Sequence, residues 1–234
     1  MIKLFTTLFL LTALAAQAQD STQNSHRVPL EFKADDAETT LELQFTPFGN
    51  TPVSINGIRA RWFTSGRNAF RLNIFAAVDS DTEIIQQELS SAQLKELKYN
   101  TTTIGVNVRP GFERHLEGTK RLSPYFGLEF DLAYQYSSEK EEYQNGSKVN
   151  YNKVVNEDGF VRLGANWVAG FDFYIAKKLY LGTEFGYGFS YTKLLAVKVK
   201  SNQTTFTEPE PDKRGGSFDM GPNVNAQIRL GYAF

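Results

Sequence analysis

Polar and apolar residues alternate with period two over residues 217–234. Phe218, Met220, Pro222, Val224, Ala226, Ile228, Leu230, Tyr232 and Phe234 fall on one side, and Asp219, Gly221, Asn223, Asn225, Gln227, Arg229, Gly231 and Ala233 on the other. Successive side chains of a strand point to opposite faces, so this spacing predicts one long amphipathic strand. The same rhythm recurs over residues 39–48, 56–63, 69–79, 103–110, 123–137, 160–175 and 179–191. Leu41, Leu43 and Phe45 oppose Glu42 and Gln44 in the first of these, and Ile58, Ala60 and Trp62 oppose Arg59 and Arg61 in the second. The chain therefore predicts an all-β fold, an eight-stranded antiparallel up-and-down β-barrel spanning residues 39–234, which the polar side of its strands then identifies as a transmembrane one.

The connections alternate as well. Residues 65–68 and 176–178 are tight turns by composition, and 113–122 form a moderate one. The segments 80–102, 137–159 and 192–217 are long and polar. Long loops on one side and short turns on the other are the pattern of outer-membrane barrels, with the turns in the periplasm. Within the first long loop, Ile85, Leu89 and Ala92 have helical spacing, so residues 82–97 are a candidate short helix.

Alternation alone does not say whether the apolar side faces lipid or an internal cavity. The polar side decides. Its central positions carry no lysine. They hold Arg59, Arg61, Arg71, Arg109, Arg162 and Arg229, with Glu42, Glu129, Asp131, Asp172, Glu184 and Asp219, separated by glycine and asparagine. Planar guanidinium groups satisfy several carboxylates at once in a crowded interior, so this set predicts a charge network inside a narrow barrel. The apolar side is aromatic at both predicted interfaces, with Trp62, Phe70, Phe173, Tyr232 and Phe234 below and Tyr134, Tyr136, Phe189, Tyr191 and Phe218 above. The aromatic content of 14% is consistent with two such belts.

With these features the chain resembles the small outer-membrane barrels of the OmpA/OmpX type. The stretches ETTLELQFTPFGN, INGIRARWF, AFRLNIF, RPGFERH and RLSPYFGLEF are similar to porin-like small barrels of Bacteroidota. The resemblance covers about residues 39–234. It implies the outer membrane as the location and the terminal strand, through Leu230, Tyr232 and Phe234, as an assembly signal read by the barrel-assembly machinery.

At the other end, Lys3, the apolar run 4–16 and Ala16-Gln17-Ala18 match a cleaved signal peptide, residues 1–18, with the cut between Ala18 and Gln19. The apolar run is shorter than the roughly 20 residues of a membrane-spanning helix. Residues 19–38 are then expected to form a polar periplasmic lead-in. The chain has no cysteine, which excludes disulfides, thiolate metal sites and a lipoprotein anchor. A net charge of -1 gives no argument for nucleic-acid binding.

Candidate chemistry is sparse, and no cofactor or metal is expected. Glu129 and Asp131 share a face, as a glycosidase acid/base pair would, but facing arginines keep both ionised. Outer-membrane enzymes that modify lipid A need a histidine–serine site near the outer leaflet. His26 and His115 both fall at the periplasmic end, so an enzyme is not expected. Residues 79–83 resemble a calcium-loop fragment without its glycine or its distant glutamate, and read as a solvated acidic loop. The expected role is structural or a surface interaction carried by the long loops of a monomer set in outer-membrane lipid and lipopolysaccharide, with an extracellular ligand at the loops. The alternatives are a small porin-like channel and, third, a lipid A-modifying enzyme.

Overall fold

A bilayer interior offers no water to unpaired backbone groups, so a strand-built span is stable only when its sheet closes on itself. The computed structural model, which describes residues 31–46, 54–89, 93–145, 148–223 and 228–234, shows such a closure. Eleven strands form one sheet: β1 (Thr39–Thr46), β2 (Ser54–Ser65), β3 (Asn68–Leu89), β4 (Gln93–His115), β5 (Leu122–Asn145), β6 (Lys148–Val155), β7 (Phe160–Ala176), β8 (Leu179–Leu194), β9 (Lys198–Ser201), β10 (Gly216–Asn223) and β11 (Ile228–Ala233). The ring runs β1-β2-β3-β4-β5-β7-β8, and is completed by β10 and β11, which both pair with β8 and together make the last wall position. β11 pairs in turn with β1, from Thr40↔Ala233 to Phe45↔Ile228. The wall is therefore an eight-stranded antiparallel barrel.

β10 and β11 meet β8 in registers offset by two residues: Asn223 pairs with Gly186 and Arg229 with Gly182. An even offset keeps the parity of the alternation. Phe218 and Met220 above, and Leu230 and Tyr232 below, consequently point to the same side.

The barrel is apolar outside and polar inside. Trp62, Phe70, Phe126, Trp167, Phe173, Phe185 and Tyr232 stand exposed around the wall, Trp167 at 58%. Arg61, Arg71, Arg229, Glu42 and Asp172 are buried within. An eight-stranded barrel has just enough interior for side chains to fill. Glycines admit the larger ones: a Cβ on Gly231 would lie 2.1 Å from the Tyr180 ring, and one on Gly182 2.5 Å from both the Arg229 guanidinium and the Asp172 carboxylate.

Several boundaries differ from the sequence expectation. The described part of the candidate helix, residues 82–89 and 93–97, is strand: it belongs to β3 and β4, which pair without a break in register from Asn68↔Arg114 to Leu89↔Gln93. The helical spacing of Ile85, Leu89 and Ala92 loses to cross-strand pairing that continues a ladder already formed in the wall. Residues 79–83 are likewise extended strand rather than a calcium-type loop. The loops 137–159 and 192–217 also contain strand: β5 continues into β6, and β9 pairs with β6. A five-stranded sheet, β3-β4-β5-β6-β9, thus rises beyond the barrel rim.

At the opposite end, residues 31–38 pack over the barrel mouth. Ala34 is buried against Phe63, Ala69 and Ala233, and its N–H donates to the Tyr174 hydroxyl at 3.2 Å. Arg121 stacks over Phe32 at 4.4 Å. Lys178, held at φ 62, donates its N–H to the Phe32 carbonyl at 2.9 Å and its Nζ to Glu38 at 2.6 Å. This segment is a cap and not merely a polar lead-in. The strand-like stretch expected to end at residue 48 is described to Thr46, and the cut between Ala18 and Gln19 lies outside the described residues.

Gly231→Ala should destabilise the barrel by about 1–3 kcal/mol through overpacking against Tyr180. Gly105→Ala, whose Cβ would meet nothing nearer than 4.0 Å, should leave stability unchanged or slightly raised. Urea unfolding of both variants in lipid vesicles checks the difference.

The lumenal charge network as candidate functional site

Each lumenal charge comes from the inward phase of a strand, and register sets which ones meet. Glu42↔Arg59 on β1/β2, and Arg59↔Asn73 with Arg61↔Arg71 on β2/β3, put three arginines on adjacent strands. Glu42 and Glu113 reach them from the neighbouring β1 and β4, and Asp172 and Glu184 from across the barrel on β7 and β8.

Arg61 forms the lowest layer and is fully buried. Its guanidinium lies 2.6 Å from Glu42, 2.7 Å from Glu113 and 2.8 Å from Asp172, while its Nε donates to Thr40 at 3.2 Å. The Tyr180, Phe63 and Tyr125 rings surround its cationic carbon at 5.0, 5.6 and 5.9 Å. Arg229 bridges Glu42 and Asp172, each at 3.1 Å, and donates to the Thr183 carbonyl at 3.1 Å.

Arg59 and Arg71 form the next layer, each forked on Glu184: Arg59 at 3.1 and 3.0 Å, Arg71 at 2.8 Å through both nitrogens. Arg71 also reaches Glu129 at 2.8 Å and Glu113 at 3.3 Å. Tyr125 donates to Glu184 at 2.5 Å and Tyr180 to Glu42 at 2.8 Å. Above them, Arg109 and Arg162 converge on Asp131 at 3.2 and 2.9 Å, and Arg109 lies 3.7 Å from Glu129. The two upper arginines are partly exposed, with side chains 19% and 30% accessible.

Eleven of the twelve charged residues expected inside the barrel join one network on the lumenal face. The twelfth, Asp219, lines the vestibule near the rim, where it is exposed and accepts a hydrogen bond from Ser217 at 3.3 Å. Sequence reasoning missed Glu113 and His115, which it had assigned to a turn. β4 runs on to His115, and both side chains are buried. His115 contacts Glu113 at 3.0 Å through Nε2 and Ser123 at 2.8 Å through Nδ1. The signal was present: Pro110, Phe112 and Arg114 alternate with Gly111, Glu113 and His115, in phase with the strand before them. With Glu113 counted, six arginines meet six carboxylates among the described residues.

Glu129 and Asp131, the acid/base candidates, are both bound up in ion pairs, Glu129 with Arg71 and Arg109 and Asp131 with Arg109 and Arg162. Among the described residues no cluster of His, Asp or Glu has the arrangement to bind a metal ion. Between the layers a cavity of about 20 Å³, lined by Arg59, Asn73, Phe75, Arg109 and Glu129, has room for about one water. The vestibule above, about 330 Å³, is lined by Arg109, Asp131, Arg162 and Asn166 and opens toward the rim.

An aromatic-belted closed barrel with its charges sealed inside is an integral outer-membrane protein. The chain belongs to the family described as "Putative OmpA-OmpF-like porin family", whose model matches residues 45–224. A comparison with curated proteins gives no match. Solved structures with similarity include CarO2 of Acinetobacter baumannii (11% identity, 86% of this chain and 100% of that one, TM-score 0.34). Two others are Ail, the attachment invasion locus protein of Yersinia pestis (12%, 85% and 99%, 0.25), and a major outer membrane protein of Thermus thermophilus (10%, 84% and 98%, 0.29).

Removing one member of a buried set strands its partners as uncompensated charges. Arg61→Ala should therefore cost about 3–5 kcal/mol, since three buried carboxylates lose their shared cation. Arg162→Ala, at the partly exposed top, should cost under about 1 kcal/mol. Equal urea midpoints for the two variants would refute this layering.

Proposed function

We propose that the protein is a non-conducting, monomeric outer-membrane anchor that presents its extracellular sheet to ligands outside the cell. The observation that carries this reading is the double closure of the lumen. Arg61, Arg71, Arg229, Glu42, Glu113 and Asp172 fill the lower half, and the cap of residues 31–38 covers the mouth beneath. Moving an ion through that half means separating several multiply bonded ion pairs at once. The five-stranded extension offers a large, solvent-facing surface instead.

A porin-like channel is the second reading, favoured by the outward-opening vestibule of about 330 Å³. Planar-bilayer recording separates the two. The sealed-anchor reading expects no discrete steps above baseline in wild-type protein; reproducible steps that change when Arg71 is replaced would establish the channel.

We further propose that residues 1–18 are removed between Ala18 and Gln19 on export, and that Leu230, Tyr232 and Phe234 direct insertion by the barrel-assembly machinery. Phe234 is exposed on the lipid side, and its backbone closes the seam with Thr39 through hydrogen bonds of 2.9 and 3.1 Å. Phe234→Asp should leave most of the protein aggregated in the periplasm, without the heat-modifiable migration of a folded barrel. Normal migration of this variant would reject the signal role.

A further inference from the structure

The extracellular sheet segregates charge by face. Alternation along the unbroken registers continues the lipid-facing side of the wall through Tyr134 and Tyr136 to Lys140 and Glu142 on β5. On that outward face lie Lys98, Lys140, Lys153, Lys198 and Lys200, with Glu96 and Glu142 as its acids. The inward face carries Asp79, Asp81, Glu83, Glu139 and Glu141, with Lys148; the β3/β4 register also assigns Lys95 to the inward phase and Glu88 to the outward one. Contacts agree with this assignment. Lys140 bonds Glu142 and lies 4.9 Å from the Tyr151 ring outside, whereas Tyr99 bonds Glu141 at 3.2 Å inside.

The outward lysines are in register. Lys140 pairs directly with Lys153, and Lys153 with Lys200, so three ammonium side chains stand opposite one another on adjacent strands. Lys198 lies two residues from Lys200 on the same face and pairs with Val155. Neighbouring strands are about 4.8 Å apart, and like charges placed directly opposite destabilise a sheet. Only part of this repulsion is relieved internally. The Lys140 hydrogen bond, with Lys98 nearby, holds the Glu142 carboxyl below its ordinary value. Among the described residues Lys153, Lys198 and Lys200 have no carboxylate partner. A merely soluble surface would intermix signs, whereas β6 and β9 carry lysines and no acidic residue.

Height identifies what this face meets. Val155 pairs with Ser138, four residues above Tyr134 of the upper aromatic belt, and Lys153 pairs with Lys140 two residues higher. On strands tilted about 40° this places the lysines roughly 10–15 Å above the belt, beside the phosphorylated headgroups of the outer leaflet. We propose that the lysine row Lys140–Lys153–Lys200, with Lys198, is a docking site for the phosphate groups of outer-leaflet lipopolysaccharide. Each phosphomonoester brings up to two negative charges and three acceptor oxygens to a row in which Lys153, Lys198 and Lys200 have no carboxylate partner among the described residues. The inference rests on the outer-membrane location and not on whether the lumen conducts.

The test uses full-length refolded protein in detergent, titrated with bisphosphorylated lipid A and with its dephosphorylated form, across a salt series. Wild type should bind the bisphosphorylated form more tightly, with affinity falling as salt rises. K153E/K198E/K200E should lose roughly tenfold or more of that affinity while matching wild type on the dephosphorylated form. K148E, on the inward face, should bind as wild type. K153Q/K198Q/K200Q, which removes charge without reversing it, should show the same loss with unaltered heat-modifiable migration, and keeps the test valid if the glutamate variant misfolds. Unchanged binding by the folded glutamine variant would overturn the proposal, as would indifference to phosphate removal. A loss confined to soluble dextran sulfate, with lipid A binding intact, would reassign the face to an extracellular polyanion.

Discussion

A span built from strands must satisfy every backbone donor and acceptor within the protein, and that requirement shapes the rest of this molecule. Closure of β1 on β11 leaves no edge in the hydrocarbon layer. A closed wall has two surfaces, and lipid takes the outer one. The inner surface then receives every polar side chain that alternation generates, in a space too narrow for bulk water. Six arginines facing six carboxylates resolve the conflict, because each planar guanidinium can serve two or three anions and each anion two or three donors. Buried ion pairs of this kind add little net stability over an apolar filling. In this barrel they make a polar lumenal face tolerable, and they do so in one register only, since a one-residue slip would turn them toward lipid.

The network is graded along the barrel axis. Its lower layer is fully buried, multiply bonded and covered by the cap around Ala34, whereas its upper arginines share one aspartate and reach the vestibule. Rigidity is thus concentrated at the capped end and accessibility at the opposite rim. The sheet beyond the rim follows the same polarity. It escapes the membrane constraint but inherits its registers from strands fixed within the membrane, so its two faces continue the two sides of the wall. Acidic residues consequently collect above the lumen and lysines above the lipid.

The sequence and structure diverge where a strand leaves the membrane. Period-two alternation found every wall strand, because a strand with lipid on one side and packed charge on the other must alternate. Beyond the rim both faces meet water and the signal weakens, so 80–102 and 137–159 read as loops although β3 to β6 extend through them. Ile85 and Leu89 then mimicked a helix. At the lower end the polar run Glu113-Arg114-His115 read as a turn, although Phe112 before it kept the phase. Tyr125, Tyr174 and Tyr180 were not expected inside, since tyrosine is equally at home in an interfacial belt.

The linear chain by itself determined the strand class, the lipid-facing side and the charges that had to be hidden, because each follows from local alternation and from the cost of placing an ion in hydrocarbon. Only the tertiary structure decided which charges meet. Arg61 finds Asp172, 111 residues away, and Arg59 finds Glu184, 125 residues away, through the circumference and stagger of the closed barrel, which no local pattern encodes. The lysine row depends in the same way on β5, β6 and β9 arriving side by side in one register.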